Sequence, residues 1–255
     1  MELTEVEFWE RYWADCKLPN IIDTRLSFER CLAKALQQEL AGCAGEVLEI
    51  GCAPGRWLAF MAKEIGLLPS GIEYSQAGME ATRKNFELLN IPYGEILAGD
   101  FFTLEPEAKY DVVVSLGFIE HFDNPGEVVS RHLAWLKPGG RLVLGVPNFR
   151  GIYHLLQGAL DKTVLEKHNL DIMHLGYFEQ LAHQLGLEIL FRGYLGSFEP
   201  CLPIFKEGPL GPAQTLIKLG LGLTRRVRQL NWFDELNSPF WSSYILAVYR
   251  KGLEI

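Results

Sequence analysis

The sequence predicts a doubly wound α/β fold, in which a mostly parallel sheet carries helices on both faces. Two observations support this prediction: short apolar runs alternate with amphipathic helical stretches, and glycine-containing turns follow the apolar runs. A hydrophobic fraction of 48% against 22% charged residues is typical of a packed core. A length of 255 residues suits one such domain with additional segments around it.

The first 44 residues are predicted to form a cap of two helices. The first helix carries aromatic residues at helical spacing, namely Phe8, Trp9, Tyr12 and Trp13. Pro19 and Asn20 interrupt this pattern. We expect the second helix to begin at Thr24, as its N-cap, and to end near Gly42.

Residues 45–255 are predicted to form the sheet domain. Strands are expected at 47–50, 70–74, 94–98, 110–116, 141–146, 187–195 and 242–249. Helices are expected after Gly55 as far as Gly66, and at 76–90, 125–136, 177–185 and 212–230. The alternation pauses at 148–175 and at 196–239, and we expect these two segments to cap the functional site.

Charge and cysteine content argue against several classes of protein. The formal charge of −8 disfavours non-specific binding of nucleic acid, so no nucleic-acid partner is predicted. The five cysteines are odd in number and include no CxxC pair, which argues against a disulfide framework or a zinc ribbon. The cysteines suit reduced thiols, and the sequence has no signal-peptide pattern and no apolar run of about 18 residues. These features predict a cytoplasmic protein without a membrane span.

Glycine and acidic positions follow the first four predicted strands. Residues 49–55 (EIGCAPG) come after the first strand, and Glu73 ends the second, about 20 positions beyond Gly51. Asp100 and Phe101 follow the third strand, and residues 115–122 (SLGFIEHF) follow the fourth. Each position alone also fits a turn or an N-cap. Their order along successive strand–helix units predicts one nucleotide-type site at the carboxyl ends of the strands.

The glycine pattern distinguishes between nucleotide ligands. A dinucleotide fingerprint needs G-x-G-x-x-G, but counting from Gly51 the second and third glycine positions are Ala53 and Arg56. No G-x-x-x-x-G-K-[ST] phosphate loop occurs either. These absences favour an adenosine ligand that lacks phosphates.

Several stretches resemble the motifs of the class I S-adenosylmethionine-dependent methyltransferases. They are 47–55 (VLEIGCAPG), 71–75 (GIEYS), 98–101 (AGDF), 110–122 with its Glu120-His121 pair, and 136–142 (LKPGGRL). The resemblance is strong over about residues 45–150 and weaker beyond them. It implies a Rossmann-like sheet of seven strands, mostly parallel with an antiparallel last strand. It also implies S-adenosylmethionine as cofactor and methyl transfer to a small-molecule acceptor, which we expect to occur at oxygen.

The resemblance also implies a role for individual residues. The implied cofactor-binding residues are Glu49, Gly51, Cys52, Ala53, Gly55, Glu73, Tyr74, Asp100, Phe101, Leu116 and Gly117. Among them Glu73 would hold the ribose hydroxyls, and Asp100 with Phe101 would hold the adenine. Pro54 stands where the family often has glycine, and it removes one backbone donor.

Two residues of the fourth motif are the candidates for catalysis. His121 would take the proton of an acceptor hydroxyl, with Glu120 beside it. The alternative is that both residues only shape the loop, and in some quinone-pathway relatives acidic residues at this position bind a divalent metal. His168 and His174 have either a polar role in an acceptor pocket or a surface position. No histidine pair has the spacing of a metal site, so no metal ligand is predicted.

Two further segments each have two interpretations. In relatives an N-terminal helix can close over the cofactor, whereas the aromatic stripe of the first helix also suits packing on the sheet edge. Residues 206–230 combine Glu207 with basic and apolar side chains, namely Lys206, Lys218, Arg225, Arg226, Arg228, Leu216, Leu219, Leu223, Val227 and Leu230. Such a helix either touches a membrane surface or lipid-like substrate, or is a cap helix with one solvated face.

Two functions other than methyl transfer remain compatible with the sequence. A methyltransferase fold can serve as a binding protein or partner subunit without turnover. A nicotinamide dehydrogenase would also use Glu73, although the broken dinucleotide pattern argues against it. The apolar composition of 148–160 and 191–205 suggests a partly apolar acceptor, although core residues have the same composition. No oligomeric state is predicted.

Overall fold

The computed structural model describes residues 6–206, 208–227 and 231–253. The strands are β1 (Glu46–Ile50), β2 (Leu68–Glu73), β3 (Ile96–Ala98), β4 (Tyr110–Leu116), β5 (Leu136–Pro147), β6 (Glu188–Leu195) and β7 (Tyr244–Arg250). They form one sheet in the order β3-β2-β1-β4-β5-β7-β6. The first five strands are parallel, and β7 runs antiparallel to β5 and β6. The predicted mostly parallel sheet with an antiparallel last strand is confirmed.

Nine α-helices occur among the described residues. They are α1 (Val6–Ala14), α2 (Ser27–Glu39), α3 (Arg56–Glu64), α4 (Gln76–Leu89), α5 (Pro125–Trp135), α6 (Ile152–Leu160), α7 (Lys162–Glu166), α8 (Leu175–Leu185) and α9 (Pro212–Val227). None of these helices has both the length and the apolar content needed to cross a bilayer. Glu207, Arg228 and Leu230 of the predicted basic helix lie outside the described residues.

The core lies on both faces of the sheet, because successive side chains of a strand point to opposite sides. Val47 of β1 belongs to a cluster with buried residues of α2, α3 and α4. The next residue, Leu48, belongs to a second cluster with residues of α5, α6, α7 and α8. This burial of alternate faces is the source of the continuous apolar runs in the sequence.

Two details differ from the sequence prediction. Helix α2 begins at Ser27 and its N-cap is Leu26, so Thr24 as the N-cap was wrong. The reason is a turn before the helix, in which the Asp23 side chain accepts a hydrogen bond from the Arg25 amide and the Asp23 carbonyl accepts one from Leu26. Strand β5 also begins earlier than predicted, because Gly139 and Gly140 exchange backbone hydrogen bonds with Lys251 after β7.

The strand order creates a crevice at the carboxyl ends of β1 and β4. The chain passes from β1 outward to β2 and β3 on one side, and then crosses to β4 and β5 on the other. The turns that follow β1 and β4 therefore diverge to opposite faces of the sheet, and the space between them is where open α/β sheets bind ligands.

Candidate active site

A cavity of about 350 Å³ opens at this crevice. Ten of the eleven residues predicted to bind the cofactor line it, namely Glu49, Gly51, Cys52, Ala53, Glu73, Tyr74, Asp100, Phe101, Leu116 and Gly117. His121 lines it as well, whereas Gly55 and Glu120 are not among its lining residues. The structure thus brings the ends of four strands and one candidate catalytic side chain to a single site.

The bend after β1 depends on glycine at position 51. Gly51 has a φ of +72°, and a Cβ there would lie 3.0 Å from the ring of Phe118. The amides of Gly51 and Cys52 both donate to the carbonyl of Ile72, at 2.9 and 3.2 Å. The backbone at Gly51 is therefore turned tightly against both the neighbouring strand and the loop after β4.

Gly55 lies outside the cavity lining and between two helices. It is the N-cap of α3 with a φ of +79°, and a Cβ there would lie 2.8 Å from Thr82 and 3.1 Å from Phe86. Both of these residues belong to α4. Gly55 therefore permits the close approach of α3 and α4, and its absence from the cavity lining follows from this packing.

Glu73 connects the ends of β1 and β2. One carboxylate oxygen accepts a hydrogen bond from the amide of Ala53 and the other accepts one from the amide of Ser75, both at 3.1 Å. Burial raises the pKa of Glu73, and the backbone amide donors oppose this shift. The side chain is 5% exposed yet lines the cavity, so its acceptor oxygens are held in a fixed position there.

Glu49 presents a buried oxygen that lacks a partner among the described residues. Its side chain is 4% exposed, and Oε2 accepts no hydrogen bond from any of them. Burial raises the pKa of Glu49 to about 8, against the opposing effect of the Arg56 charge. Because a buried polar atom without a partner is costly, this oxygen fits a ligand that brings its own donor, such as the ammonium group of S-adenosylmethionine.

The opposite end of the cavity is aromatic. Phe101 is buried, and its ring packs edge-on against Phe118 at 5.9 Å and against His132 at 5.0 Å. Asp100 accepts a hydrogen bond from the amide of Phe102 at 2.8 Å, which holds its carboxylate at the turn after β3. A carboxylate beside aromatic rings suits the amine and the flat face of an adenine.

Helix α1 covers the cavity rather than the edge of the sheet. Trp9, Tyr12 and Trp13 are among the lining residues. The carboxylate of Glu10 accepts hydrogen bonds from the amides of Gln76 and Ala77, at 2.5 and 3.0 Å, in the first turn of α4. A carboxylate at a helix N-terminus is favourable, so Glu10 attaches α1 to α4 above the cavity.

A cluster of titratable side chains lies beside the cavity, after β4. The Nε2 atom of His121 is 4.0 Å from Oε1 of Glu120, and the His121 ring centroid is 4.7 Å from that of His168. Nδ1 of His121 lies 3.1 Å from the carbonyl of Lys167, and Nδ1 of His168 lies 2.6 Å from the carbonyl of Val164. Both Nδ1 atoms are assigned as donors, so the lone pair of each ring is on Nε2.

Burial keeps this cluster uncharged near neutral pH. It raises the pKa of Glu120 to about 8, and burial together with His168 lowers the pKa of His121 to about 3. Within the ranges that the structure describes, Oε2 of Glu120 has no hydrogen-bond partner. One ligand atom from each of Glu120, His121 and His168 lies within 4.8 Å of the others, so these residues could hold a divalent metal ion.

His168 belongs to this cluster, although the sequence predicted for it only a polar role in an acceptor pocket or a surface position. It lies far from His121 in the chain, after α7, and the two rings meet only because the segment after β5 returns to the end of β4. Spacing along the chain gave no signal for this pair. His174 is not among the cavity-lining residues; it is the N-cap of α8 and accepts a hydrogen bond from the amide of Tyr177 at 3.2 Å.

Comparisons with known proteins agree with this site. The family model described as a methyltransferase domain matches residues 20–190. A 37.1 kDa protein of transposon TN4556 from Streptomyces fradiae is 35% identical over 79% of this chain. A ubiquinone biosynthesis O-methyltransferase from Coxiella burnetii is 26% identical over 49% of it. This chain spans 60% and 54% of the lengths of these two relatives.

The solved structures include similar folds at low sequence identity. A SAM-dependent methyltransferase from Archaeoglobus fulgidus aligns with a TM-score of 0.55 and 18% identity, covering 87% of this chain and 94% of that one. This likeness shows a shared fold. The match of the family model to most of the chain shows the family. The chain belongs to the methyltransferase domain family, among the class I proteins that take S-adenosylmethionine as cofactor.

Proposed function

We propose that this protein transfers a methyl group from S-adenosylmethionine to a hydroxyl oxygen of a small-molecule acceptor. When bound, the cofactor supplies an electrophilic methyl group on its sulfonium. The observation that carries the proposal is the position of His121, which lines the same cavity as the predicted cofactor-binding residues and has its lone pair on Nε2. A neutral imidazole at that position can accept a proton.

The two ends of the cavity would bind different parts of the cofactor. Glu73 would accept hydrogen bonds from the ribose hydroxyls, and Glu49 would accept one from the ammonium group at the methionine end. Asp100 and Phe101 would hold the adenine. These side chains are fixed by packing and by backbone hydrogen bonds, so they would orient the methyl group toward the acceptor.

His121 would accept the proton of the acceptor hydroxyl, and Glu120 would stabilise the charged form of His121. As the acceptor oxygen forms its bond to the methyl carbon and the bond from sulfur to that carbon breaks, Nε2 of His121 would take the hydroxyl proton. An imidazolium 4.0 Å from Glu120 would favour the ionised form of that carboxyl, and the resulting carboxylate would stabilise the imidazolium. The hydrogen bond from Nδ1 to Lys167 keeps the ring oriented for this step.

The side chains around His121 support a partly apolar acceptor. Trp9 lies edge-on to the imidazole at 5.5 Å, and Phe118 and Phe122 line the same part of the cavity. Transfer to oxygen also draws support from the Coxiella relative, which is named an O-methyltransferase. The segments 1–44, 148–175 and 196–239 are proposed as the caps that enclose this acceptor.

The function is tested with S-adenosylmethionine that carries a deuterated methyl group. The purified protein is incubated with a panel of phenols, aliphatic alcohols, amines and thiols, and products are identified by mass spectrometry. We expect a labelled methyl ether. A labelled amine or thioether would contradict the oxygen assignment. Cofactor binding without any labelled product, or binding of NADH in its place, would contradict methyl transfer and favour one of the other two functions.

The role of His121 is tested by His121→Asn, with His183→Asn, an exposed position on α8, as the matched control. We expect kcat to fall at least about a hundredfold in the first variant and not in the second, while both bind S-adenosylhomocysteine normally. Wild-type enzyme treated with a chelator should keep its rate if His121 acts as a base. Loss of activity on chelation, restored by a divalent metal, would instead make His121 a metal ligand.

A further inference from the structure

The backbone amides of residues 51–55, the bend after β1, are all engaged within the protein. Two of them donate to the carbonyl of Ile72, one to the carboxylate of Glu73 and one to a carbonyl inside the bend. The remaining position is Pro54, which has no amide hydrogen. In the described chain the bend therefore offers no free backbone donor to the carboxylate at the methionine end of S-adenosylmethionine, and a side chain has to supply one.

The charges around the cavity leave one side chain suited to that carboxylate. The lining contains the carboxyl groups of Glu49, Glu73 and Asp100, and Arg56 is the one lysine or arginine among the described residues that line it. A carboxylate placed among acids alone is repelled, whereas a guanidinium attracts it and can bind it through two hydrogen bonds. Asn20 also lines the cavity, but its amide carries no charge.

The fold places Arg56 at the same end of the cavity as Glu49. Glu49 lies at the end of β1, which leads into the bend, and Arg56 is the first residue of α3, directly after the bend. Burial raises the pKa of Glu49, and the nearby positive charge of Arg56 opposes that rise. A methionine moiety carries its ammonium and its carboxylate on the same carbon atom. A carboxyl and a guanidinium that lie close together therefore match both groups.

The guanidinium of Arg56 is held by one partner and keeps donors for another. Its Nη1 atom donates to Oε1 of Glu29 on α2 at 2.7 Å. The buried Glu29 is itself fixed, because its other oxygen accepts a hydrogen bond from the backbone amide of Asp23. The bond to Glu29 is the one hydrogen bond that the guanidinium donates within the described ranges, although this group has several N–H donors. The Arg56 side chain is 31% exposed, so its other donors are accessible to a ligand.

We propose that Arg56 binds the carboxylate of the methionine moiety of S-adenosylmethionine, next to the ammonium group that Glu49 accepts. This inference rests on the proposed position of that moiety at Glu49. Glu29 does not line the cavity, so it would act as a positioning residue that keeps the guanidinium in place. The two opposite charges would favour ligands with an intact amino acid over adenosine derivatives that lack one.

The proposal is tested by isothermal titration calorimetry of the full chain, without a methyl acceptor. The ligands are S-adenosylhomocysteine, its decarboxylated form S-adenosyl-3-thiopropylamine, and 5′-methylthioadenosine, which lacks the whole amino acid. We expect the wild type to bind S-adenosylhomocysteine at least about tenfold more tightly than the decarboxylated form, because a hydrogen bond between charged groups contributes about tenfold to a hundredfold in affinity. In Arg56→Gln this preference should fall to about twofold or less, while the Kd for 5′-methylthioadenosine stays within about twofold of the wild-type value.

Two further variants separate ligand binding from the stability of the ion pair. Arg56→Gln leaves the carboxylate of Glu29 buried without its cation, so the double variant Arg56→Gln with Glu29→Gln removes both charges together. It should lose the preference for the carboxylate as fully as Arg56→Gln does. Lys63→Gln removes an exposed positive charge from the same helix, and this matched control should keep the wild-type preference.

Three results would overturn the proposal. The first is a preference for S-adenosylhomocysteine over its decarboxylated form that is equal in the wild type and the double variant. The second is a rise in Kd by the same factor for all the ligands, because Arg56 would then only hold α3 against α2. The third is a preference that Arg56→Gln keeps and Asn20→Ala loses, which would assign the carboxylate to Asn20.

These results are distinguishable from a failure of the proposed methyl transfer. If the wild type bound none of the ligands, the position of the cofactor in this cavity would be wrong, and the roles of both Arg56 and His121 would be wrong with it. If the wild type bound S-adenosylhomocysteine and gave one of the results above, only the role of Arg56 would be overturned.

Discussion

Glu73 accepts a hydrogen bond from the backbone amide of Ala53 at 3.1 Å, across the gap between the ends of β2 and β1. Glu73, which would hold the ribose, is therefore joined in one structural unit to the bend after β1, which would hold the methionine end of the cofactor. The second oxygen of Glu73 accepts a hydrogen bond from Ser75, which is also the N-cap of α4. A change at Glu73 is expected to disturb both ends of the cofactor site together.

Replacement of Glu73 by alanine should weaken cofactor binding. The variant loses an acceptor for two backbone amides as well as the proposed acceptor for the ribose hydroxyls. Each lost hydrogen bond to a charged group costs about 1.5–3 kcal/mol, so we expect the Kd for S-adenosylhomocysteine to rise at least about tenfold. Isothermal titration calorimetry measures this change. Glu80→Ala, at an exposed position of α4, should leave the Kd unchanged, and an unchanged Kd for Glu73→Ala would disprove the ribose assignment.

Two glycines with similar backbone conformations should respond differently to alanine. Gly51 and Gly66 have φ values of +72° and +87°, so both variants bear the cost of a left-handed residue, on the order of 1 kcal/mol. A Cβ at Gly51 also meets Phe118 at 3.0 Å, whereas nothing lies within 4 Å of one at Gly66. We expect Gly51→Ala to lower both the melting temperature and the affinity for S-adenosylhomocysteine. Gly66→Ala should lower only the melting temperature, and equal affinities would contradict a role for Gly51 in the cavity.

Local sequence patterns predicted the sheet well, because most of the strands β1 to β5 contain apolar residues next to a glycine or an acidic residue. The same patterns predicted residues that the structure brings together at one cavity, since ligand residues in this fold follow strand ends directly. Thr24 shows where such reasoning fails. Its residue type suits an N-cap, but the turn formed by Asp23 delays the helix to Ser27.

Contacts between distant segments could not be predicted. His168 meets His121, and Glu10 meets the first turn of α4, only through the path of the whole chain. The position of Gly55 in the first motif implied a ligand contact, whereas the structure places Gly55 outside the cavity lining, next to Thr82 and Phe86. The packing of α3 on α4 decides which glycine of this motif faces the cavity. The spacing of glycines along the chain does not predict that packing.

The stability of the ligand-free protein should depend on pH through Glu49. Its pKa of about 8 lies above the ordinary value of 4.5, so the folded chain keeps a proton that the unfolded chain releases. The stability that this proton provides is complete below about pH 4.5 and is lost as the pH rises through about 8. The free energy of unfolding of the wild type should therefore decline relative to that of Glu49→Gln, by up to about 1.4 kcal/mol per pH unit.

Urea denaturation at about pH 5 and about pH 8 measures this difference. Glu46→Gln, at the other end of β1, is the control, and its stability should stay parallel to that of the wild type across the range. If the difference between the wild type and Glu49→Gln were the same at both pH values, Glu49 would not hold a proton in the folded state.

The attachment of α1 through Glu10 should control access to the cavity. Helix α1 has no fully buried residue, so the two hydrogen bonds that Glu10 accepts from the first turn of α4 are a large part of what holds it. Glu10→Gln removes the charge at that helix N-terminus, which is expected to weaken the attachment by about 1 kcal/mol. Hydrogen exchange of residues 6–14 and tryptic cleavage at Arg11 should then become about fivefold faster, and S-adenosylhomocysteine should dissociate faster. Glu7→Gln removes an exposed carboxylate of the same helix and should change none of these rates. If Glu10→Gln and Glu7→Gln behaved alike, aromatic contacts would hold α1 in place instead. Trp9 and Trp13 would then be the residues that control access to the cavity.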